Sequence, residues 1–405
     1  MATSPLSTAP AKRPQTAPLP SAPTKTETGA NKGVSLRDFS MVIALVIIWS
    51  FFALAAPAFT SARNLSNLTV ELSITAILSL GMLLIILTGY IDLSIGSGVG
   101  LLGGISAVLL FQHNWPAPLA MLVSIAVALV IWFGMGALIV TQRIPAFIIT
   151  LAGLLVFRGL HLKVIQNATI PITRGGVDNL FSLLTTWYLP PLWGLVLGTA
   201  VFTLFAIGTW KARQRRQDFG LTVDSSEVWS LRTLIVGQLI ALFVLVCNGY
   251  QGIPLSALIL AMAALATWLL TQHTRFGRYI YAIGGNEEAA LVSGIPVTKV
   301  VIGTFVIMGF ITAIGGFMQT AYSGYSTTTT GTLLELDAIA ACVIGGTSLK
   351  GGRGNVAGVL FGSLIMASLL NGMTLMAMAP EEKSIARGLV LALAVWMDVR
   401  LNKGK

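Results

Sequence analysis

Long apolar stretches follow one another through almost the whole chain, and they constrain its fold more than any other feature. Residues 39–62 and 72–91 contain no charged side chain. Because an α-helix needs about 20 apolar residues to cross the hydrocarbon core of a bilayer, both stretches are long enough to span a membrane. Ten further candidate spans follow, some of them short or rich in glycine. They are residues 93–111, 118–141, 144–160, 189–210, 233–250, 253–272, 300–322, 333–349, 355–378 and 385–399.

The charge content excludes the main soluble classes of protein. Charged residues make up 10% of the chain, against about 25% in an ordinary soluble domain. The charge content therefore excludes a cytosolic enzyme, a disordered protein and a nucleic-acid binder. We expect membrane lipid to cover the apolar surface. The sequence predicts an all-α, polytopic integral membrane protein with about 10 and up to 12 transmembrane segments, some of them short or broken helices.

The basic residues predict an orientation for these spans. If all twelve cross, 19 of the 25 Lys and Arg residues fall on the side of the N-terminus. Since cytoplasmic loops carry the excess of Lys and Arg, the N-terminus is predicted to be cytoplasmic. The resulting organisation is a disordered, proline-rich cytoplasmic tail, a transmembrane domain with two long cytoplasmic loops, and a short basic C-terminal tail. The ranges are 1–38 for the tail, 39–399 for the domain with loops 211–232 and 273–299, and 400–405 for the C-terminal tail.

One predicted cytoplasmic segment has the signals of a short capped helix. Asn286 is a good N-cap, and Glu287 and Glu288 place negative charge in the first turn. Gly294 suits the left-handed position after a helix, and Pro296 ends the element. These signals predict a helix of about two turns, which is marginal alone in water and needs a surface to pack on. Docking to a partner protein is the favoured interpretation, and an interfacial turn is the alternative.

A second unusual segment places a carboxylate between two apolar runs. Asp92 is followed by Ser94 and by the glycines 96, 98, 100, 103 and 104. A carboxylate at the centre of a transmembrane helix costs roughly 2.5–3.5 kcal/mol on insertion scales, so Asp92 must face water, bind a partner or cap a helix break. Two interpretations remain open: part of a polar pathway, or the N-cap of a half-helix near one interface. The glycines predict close helix packing.

The remaining motifs give no sign of enzyme chemistry. Glu335 and Asp337 begin an apolar run and are predicted to lie in the first turn of a helix, where the helix dipole stabilises them. The Gly-rich stretch after them lacks the Gly-Lys-Ser/Thr ending of a phosphate-binding loop, and that motif occurs nowhere in the chain. His113, His161 and His273 are far apart in sequence and are predicted to be interfacial. The sequence therefore predicts no catalytic residue, no metal site and buried free thiols at its two cysteines.

Four segments together resemble the permease subunits of bacterial sugar ABC importers, the ribose/xylose/galactoside-type permeases. The resemblance covers about residues 36–400, and further segments are similar to the D-xylose branch of that family. The four segments are Gly89-Tyr-Ile-Asp-Leu-Ser-Ile-Gly96, Ile144-Pro-Ala-Phe-Ile-Ile-Thr-Leu-Ala-Gly153, the loop Tyr281–Ile295, and Glu335-Leu-Asp-Ala-Ile-Ala-Ala-Cys-Val-Ile-Gly-Gly-Thr-Ser348.

The resemblance implies a transporter subunit of the bacterial inner membrane that moves a monosaccharide, with D-xylose expected from the branch. It also implies three partners: an ABC ATPase subunit that binds ATP and Mg²⁺, a periplasmic sugar-binding protein and a second permease copy. No cofactor is expected on this chain. The residues expected to couple to the ATPase are Asn286, Glu287, Glu288, Ala289, Ala290 and Gly294.

Residues of the translocation pathway are expected from polarity or from a position at a helix break. They are Asp92, Ser94, Thr150, Gln319, Glu335, Asp337 and Asn371, with Trp132 as an aromatic face. The alternative function is an ion-coupled secondary sugar transporter that uses Asp92, Glu335 or Asp337 as its ion site. The position of these acids at the ends of apolar runs disfavours that alternative.

Overall fold

The computed structural model describes residues 36–223 and 225–402, and the fold is a bundle of α-helices. Most of the predicted proline-rich tail, and residues 403–405 of the predicted C-terminal tail, lie outside the described residues. The helices, in chain order, are α1 Leu36–Ala55, α2 Ala62–Leu87, α3 Ile95–Phe111, α4 Ala117–Gln142, α5 Ala146–Val164, α6 Leu180–Thr186, α7 Pro191–Asp218, α8 Ser226–Asn248, α9 Leu255–His273, α10 Arg275–Gly285, α11 Glu287–Val292, α12 Val297–Ser323, α13 Leu334–Ile344, α14 Val356–Leu375 and α15 Pro380–Asn402.

Eight of the described helices are long and apolar enough to cross a membrane: α2, α4, α5, α7, α8, α9, α12 and α14. Apolar residues 41–55 of α1 and the 17-residue α3 form shorter helices. The predicted span 333–349 contains only the 11-residue α13, after which the chain leaves the helix at Gly345. The prediction of a helical membrane protein with short and broken segments is confirmed. Helix α1 begins at Leu36, within the range assigned to the tail. The helix therefore includes Leu36-Arg-Asp38, ahead of the apolar run.

The hydrophobic core is built around α2 and α12. Helix α2 is enclosed by α9, α12, α13 and α14, and 89% of its most apolar 18-residue window is buried. Helices α3, α4 and α5 pack together on the other side of α12. Helices α7 and α8 pack mainly on each other. In each of them, only 11% of the most apolar 18-residue stretch is buried. Their exposed apolar faces are suited to contact with lipid.

The glycines of α3 allow the close packing that the sequence predicts. A Cβ at Gly98 would lie 2.5 Å from the Trp132 ring, and one at Gly316 would lie 2.8 Å from the Val99 carbonyl oxygen. Helix α3 therefore approaches both α4 and α12 at the distance that small residues permit. Both cysteines, Cys247 and Cys342, are buried free thiols, as predicted.

The two ends of the bundle differ. At one end, the "strand end", two short antiparallel pairs join distant loops: β1 (Ile170–Pro171) with β4 (Tyr325–Ser326), and β2 (Tyr188–Leu189) with β3 (Ile253–Pro254). At the other end, the "α11 end", α10 and α11 lie between α9 and α12. The Gly-rich loop 345–355 reaches this end, where Gly351 packs on Gly284. The strand pairs were not predicted from the sequence.

Candidate functional site

Helix α11 has the caps that the sequence predicts. The Asn286 side chain accepts a hydrogen bond from the Ala289 N–H at 2.9 Å, and Glu287 and Glu288 occupy the first turn. The helix ends before Gly294, which has a φ of +80°. The Ile295 N–H then donates to the Ala290 carbonyl oxygen at 3.1 Å, which satisfies a carbonyl at the helix end. The local prediction of a capped helix of about two turns is therefore confirmed.

One face of α11 packs on the protein and the other is open. Ala290 is buried against the bundle, where α11 meets α12. Leu291 and Val292, by contrast, are 64% and 90% exposed. These two apolar side chains lie at the tip of the six-residue helix, on the side away from the bundle.

A side-chain hydrogen bond links α11 to the loop between α2 and α3. The Tyr90 hydroxyl donates to the Glu287 carboxylate at an O–O distance of 3.2 Å. Burial, together with the adjacent Glu287 charge, raises the pKa of Tyr90 to about 12. The hydroxyl therefore remains a hydrogen-bond donor over the whole physiological range of pH.

The end of α10 meets two other segments backbone to backbone, in what we call the glycine junction: Gly284, Gly351, Gly352 and Leu87. The Gly352 N–H donates to the Leu87 carbonyl oxygen at 3.0 Å. A Cβ at Gly284 would overlap that same oxygen, and Gly351 has a φ of +89°. The junction therefore needs glycine both for close approach and for backbone conformation. It joins the α10–α11 segment directly to the ends of α2 and of the loop before α14.

A second contact strengthens this connection. The Tyr281 hydroxyl of α10 donates to the Gly354 carbonyl oxygen at 2.8 Å. The glycine junction could not be predicted from the sequence because its members are up to 265 residues apart, from Leu87 to Gly352. The available signal was the presence of two Gly-Gly pairs, 284–285 and 351–352, in loops predicted to share one side of the membrane.

Asp92 lies at a helix break, but it is not the N-cap. Ser94 occupies the N-cap position of α3. The Asp92 carboxylate is fully buried and accepts hydrogen bonds from the Ser94 N–H at 2.8 Å and the Ser94 hydroxyl at 2.6 Å. Its second oxygen accepts from the Trp132 indole N–H at 2.8 Å. Of the two interpretations left open by the sequence, that of Asp92 as an N-cap is wrong, because its side chain closes a turn onto the residue two positions ahead.

Thr150 joins the same region, since its hydroxyl donates to the Ile91 carbonyl oxygen at 3.3 Å. Trp132 itself is fully buried and packs on Phe157, with ring centroids 5.2 Å apart. The indole therefore offers no free face to a sugar. Asp92, Ser94 and Trp132 thus form a buried hydrogen-bonded cluster, and Thr150 bonds to the backbone beside it.

The other predicted pathway residues lie in separate places. Asp337 forms a 2.8 Å ion pair with Arg387, which joins α13 to α15. The Asn371 amide donates to Glu71 at 3.1 Å, and its carbonyl oxygen accepts from Asn64 at 2.9 Å. Gln319 is half-buried on α12. Glu335 and Asp337 both lie in the first turn of α13, as predicted. Glu335 lines a separate recess.

Glu335 lines a small polar recess between α3, α5 and the loop before α13. Arg158 and His161 of α5 line it from one side, and Thr330 and Thr332 from the other. His161 is buried, 3% exposed, with its Nε2 3.2 Å from the Ser326 hydroxyl. The interfacial assignment of His161 is therefore wrong: the α3 glycines leave room for the ring, and a Cβ at Gly100 would lie 2.8 Å from its Nδ1.

The described residues contain no group of three or more His, Cys, Asp or Glu side chains that could hold a metal ion. Among the carboxylates above, Asp92, Asp337 and Glu71 each have a donor from this chain.

Comparison with known proteins gives one family and a set of close relatives. Residues 64–395 match the family described as branched-chain amino acid transport system / permease component. The chain is 39% identical to the xylose transport system permease protein XylH of Escherichia coli (strain K12), over 91% of this chain and 93% of that protein. It is 38% identical to the XylH protein of Haemophilus influenzae, over 92% and 98% of the two chains.

A more distant relative has a different sugar in its name. The ribose import permease protein RbsC of Escherichia coli (strain K12) is 32% identical over 90% of this chain and 94% of that protein. No solved structure gives a significant match. The matches extend over nearly the whole transmembrane domain and include both the helix break at Asp92 and the α10–α11 segment.

Proposed function

This chain belongs to the family of permease components of branched-chain amino acid transport systems, and we therefore propose that it is the permease subunit of an ATP-binding-cassette importer for a monosaccharide. The family description names amino acids. The relatives that cover nine-tenths of the chain, however, have names that refer to sugars. We assign D-xylose as the solute, because the xylose permeases are 38–39% identical and the ribose permease is 32% identical.

The proposed location is the bacterial inner membrane, with the N-terminus and the α11 end in the cytoplasm. The distribution of basic residues supports this orientation. The α11 end holds Arg143 and the two basic segments predicted as loops, 211–232 and 273–299, whereas Lys163 and Lys383 lie toward the strand end. Both segments are largely helical, since the first is mostly the end of α7 and the start of α8 and the second contains α10 and α11. An excess of Lys and Arg on one side is the property of cytoplasmic loops.

The proposed partners are an ABC ATPase subunit beneath α11, a periplasmic sugar-binding protein at the strand end and a second copy of this permease. ATP and Mg²⁺ bind to the ATPase, since this chain has no phosphate-binding loop motif. ATP hydrolysis in the ATPase can then drive transport only through contacts between the two subunits. The permease therefore needs a rigid element on its cytoplasmic face to receive the movement.

The open apolar tip of α11 is the observation that carries this proposal. Leu291 and Val292 are exposed at the end of a helix whose other side is fixed to the bundle by Ala290, by the Tyr90–Glu287 hydrogen bond and by the glycine junction next to it. Asn286, Glu287, Glu288, Ala289 and Gly294 shape and anchor this helix, and Leu291 and Val292 insert into the ATPase. Movement of the ATPase is transmitted through the junction to α2 and α14.

The structure does not favour an ion-coupled secondary transporter. Asp92 accepts three hydrogen bonds and is closed off from the surface, and Asp337 is held by Arg387. Of the three acids considered as ion sites, Glu335 alone lines a recess, and that recess also contains Arg158, whose positive charge opposes cation binding.

Docking is tested by co-purification of the tagged permease with its ATPase from a mild detergent. The variant Leu291→Asp/Val292→Asp places two charges in the proposed contact and is expected to lose the ATPase while it still inserts in the membrane. Phe219→Asp is the matched control, because Phe219 is 81% exposed just after α7 at the same end of the bundle. Retention of the ATPase by the double variant would exclude α11 as the docking element.

A further inference from the structure

We infer that the recess between α5 and α13 is a contact site for sugar hydroxyl groups in the permease itself, with Glu335 as acceptor and Arg158 as donor. This inference rests on the proposed function and deepens it, because it names the residues that touch the solute during its passage. The comparisons and the coupling surface do not identify such residues.

Glu335 is the first observation that points to a ligand. Its side chain is 7% exposed, so it is more than nine-tenths buried, and it lines the recess. Within the described part of the chain, the carboxylate forms no ion pair and no hydrogen bond with another side chain, unlike Asp92 and Asp337. Its own backbone N–H is the hydrogen-bond donor within the chain, which leaves acceptor positions of the carboxylate open to a partner in the recess.

An unfavourable backbone conformation and two glycines shape the recess. Leu333, directly before α13, has a φ of +65°, an unusual conformation for a bulky residue. Gly96 and Gly331 leave the space that the Glu335 carboxylate occupies, since a Cβ at either position would clash there or with the adjacent backbone. The loop 327–332 is fixed by its own turns, including a 2.8 Å hydrogen bond from the Thr327 N–H to the Thr330 hydroxyl.

The chemistry of the recess fits a neutral polyol. Glu335 accepts hydrogen bonds, Arg158 donates them, and the Thr330 and Thr332 hydroxyls do both. A sugar hydroxyl also both donates and accepts, so vicinal hydroxyls match a carboxylate on one side and a guanidinium on the other. One negative and one positive side chain give no net charge, which disfavours an anion or a cation as the ligand.

The size of the recess indicates that only part of the sugar contacts it during transport. Its volume is about 60 Å³, enough for a few water molecules and too small for a whole pentose. One edge of the sugar can enter while the rest lies in front of Arg158, which is exposed at the rim. A weak contact of this kind suits a transport path, where a solute must leave as easily as it enters.

The test uses the whole importer, permease with ATPase and binding protein, in proteoliposomes. Initial uptake of D-xylose and of its monodeoxy analogues is measured at saturating concentration, together with ATP hydrolysis. The wild type is expected to transport at least one deoxy analogue roughly tenfold more slowly than D-xylose, the effect of one hydrogen bond to a charged group. In Glu335→Gln, xylose uptake falls by a similar factor, the difference between the two sugars shrinks to less than about twofold, and ATP hydrolysis stays unchanged.

Arg158→Gln is the second variant, since an exposed residue at the rim tolerates substitution and should reproduce the loss of hydroxyl discrimination. Lys163→Gln is the matched control: Lys163 is an exposed cation on the same helix and lies outside the recess. Unchanged discrimination in both variants would overturn the inference, as would a parallel loss of uptake and ATP hydrolysis. A wild-type importer that does not take up xylose would instead overturn the proposed function.

Discussion

The Tyr90 hydroxyl donates a hydrogen bond of 3.2 Å to the Glu287 carboxylate across a sequence separation of 197 residues. Tyr90 lies two residues before Asp92 in the loop between α2 and α3, and Glu287 is the first residue of α11. This bond therefore connects the proposed docking helix with the segment that leads into α3. The glycine junction lies beside it and joins the same region to α2 and to the loop before α14.

Tyr90→Phe removes this bond while it keeps the ring. We expect binding of the ATPase to be unchanged and the ratio of sugar transported to ATP hydrolysed to fall, because one link between α11 and the α2–α3 loop is lost. A bond worth about 1 kcal/mol corresponds to a change of roughly fivefold. Uptake and ATP hydrolysis measured in one preparation give the ratio. Tyr250→Phe, at the strand end, is the control, and an equal effect there would argue against a specific link.

Gly284→Ala tests the glycine junction. The added methyl group would overlap the Leu87 carbonyl oxygen, and overpacking of this kind costs about 1–3 kcal/mol. We expect a lower melting temperature in detergent and a loss of uptake. The adjacent Gly285→Ala is the matched control, since nothing lies within 4 Å of a Cβ at that position. Equal stability of the two variants would show that the junction is not closely packed.

Asn286→Ala removes the N-cap of α11. Loss of a cap costs about 1 kcal/mol, and a six-residue helix has little other stability. We expect the dissociation constant for the ATPase to rise roughly fivefold, with the folded bundle unaffected. Asn286→Asp keeps a side-chain acceptor and should restore binding. If Asn286→Ala binds normally, the cap is not needed for docking.

The ion pair between Asp337 and Arg387 predicts a non-additive pair of substitutions. Arg387→Met leaves the Asp337 charge buried without its partner, which costs about 3–5 kcal/mol. The double variant Asp337→Asn/Arg387→Met removes the charge as well and should recover most of the lost melting temperature. Additive losses in thermal unfolding would contradict a direct interaction between the two side chains.

Local sequence rules were sufficient for the elements that depend on neighbouring residues. The caps of α11 were readable because Asn286 and Gly294 act within one short segment, and the helical spans were readable from length and apolar content. The glycines of α3 were correctly expected to allow close packing. The space beside these glycines is filled by Trp132 and His161, among others. These residues could not be predicted, because the sequence does not show which helices lie side by side.

Contacts between distant segments account for what was missed. Asp92 lies next to a helix break, and its Trp132 partner is 40 residues away, so the sequence could not distinguish a cap from a buried hydrogen-bonded turn. Glu335 and Asp337 are two residues apart on one helix, yet Arg387 forms its ion pair with Asp337 while Glu335 lines the recess. The two-residue strands carry too few residues for a recognisable alternating pattern.

The energy source of transport tests the central claim most directly. Proteoliposomes that contain the permease, its ATPase and its binding protein are loaded with ATP and Mg²⁺ on the ATPase side, and D-xylose uptake is measured with and without ionophores. We predict uptake that requires ATP and survives complete collapse of the ion gradients. Uptake that proceeds without nucleotide and disappears when the gradients collapse would contradict it.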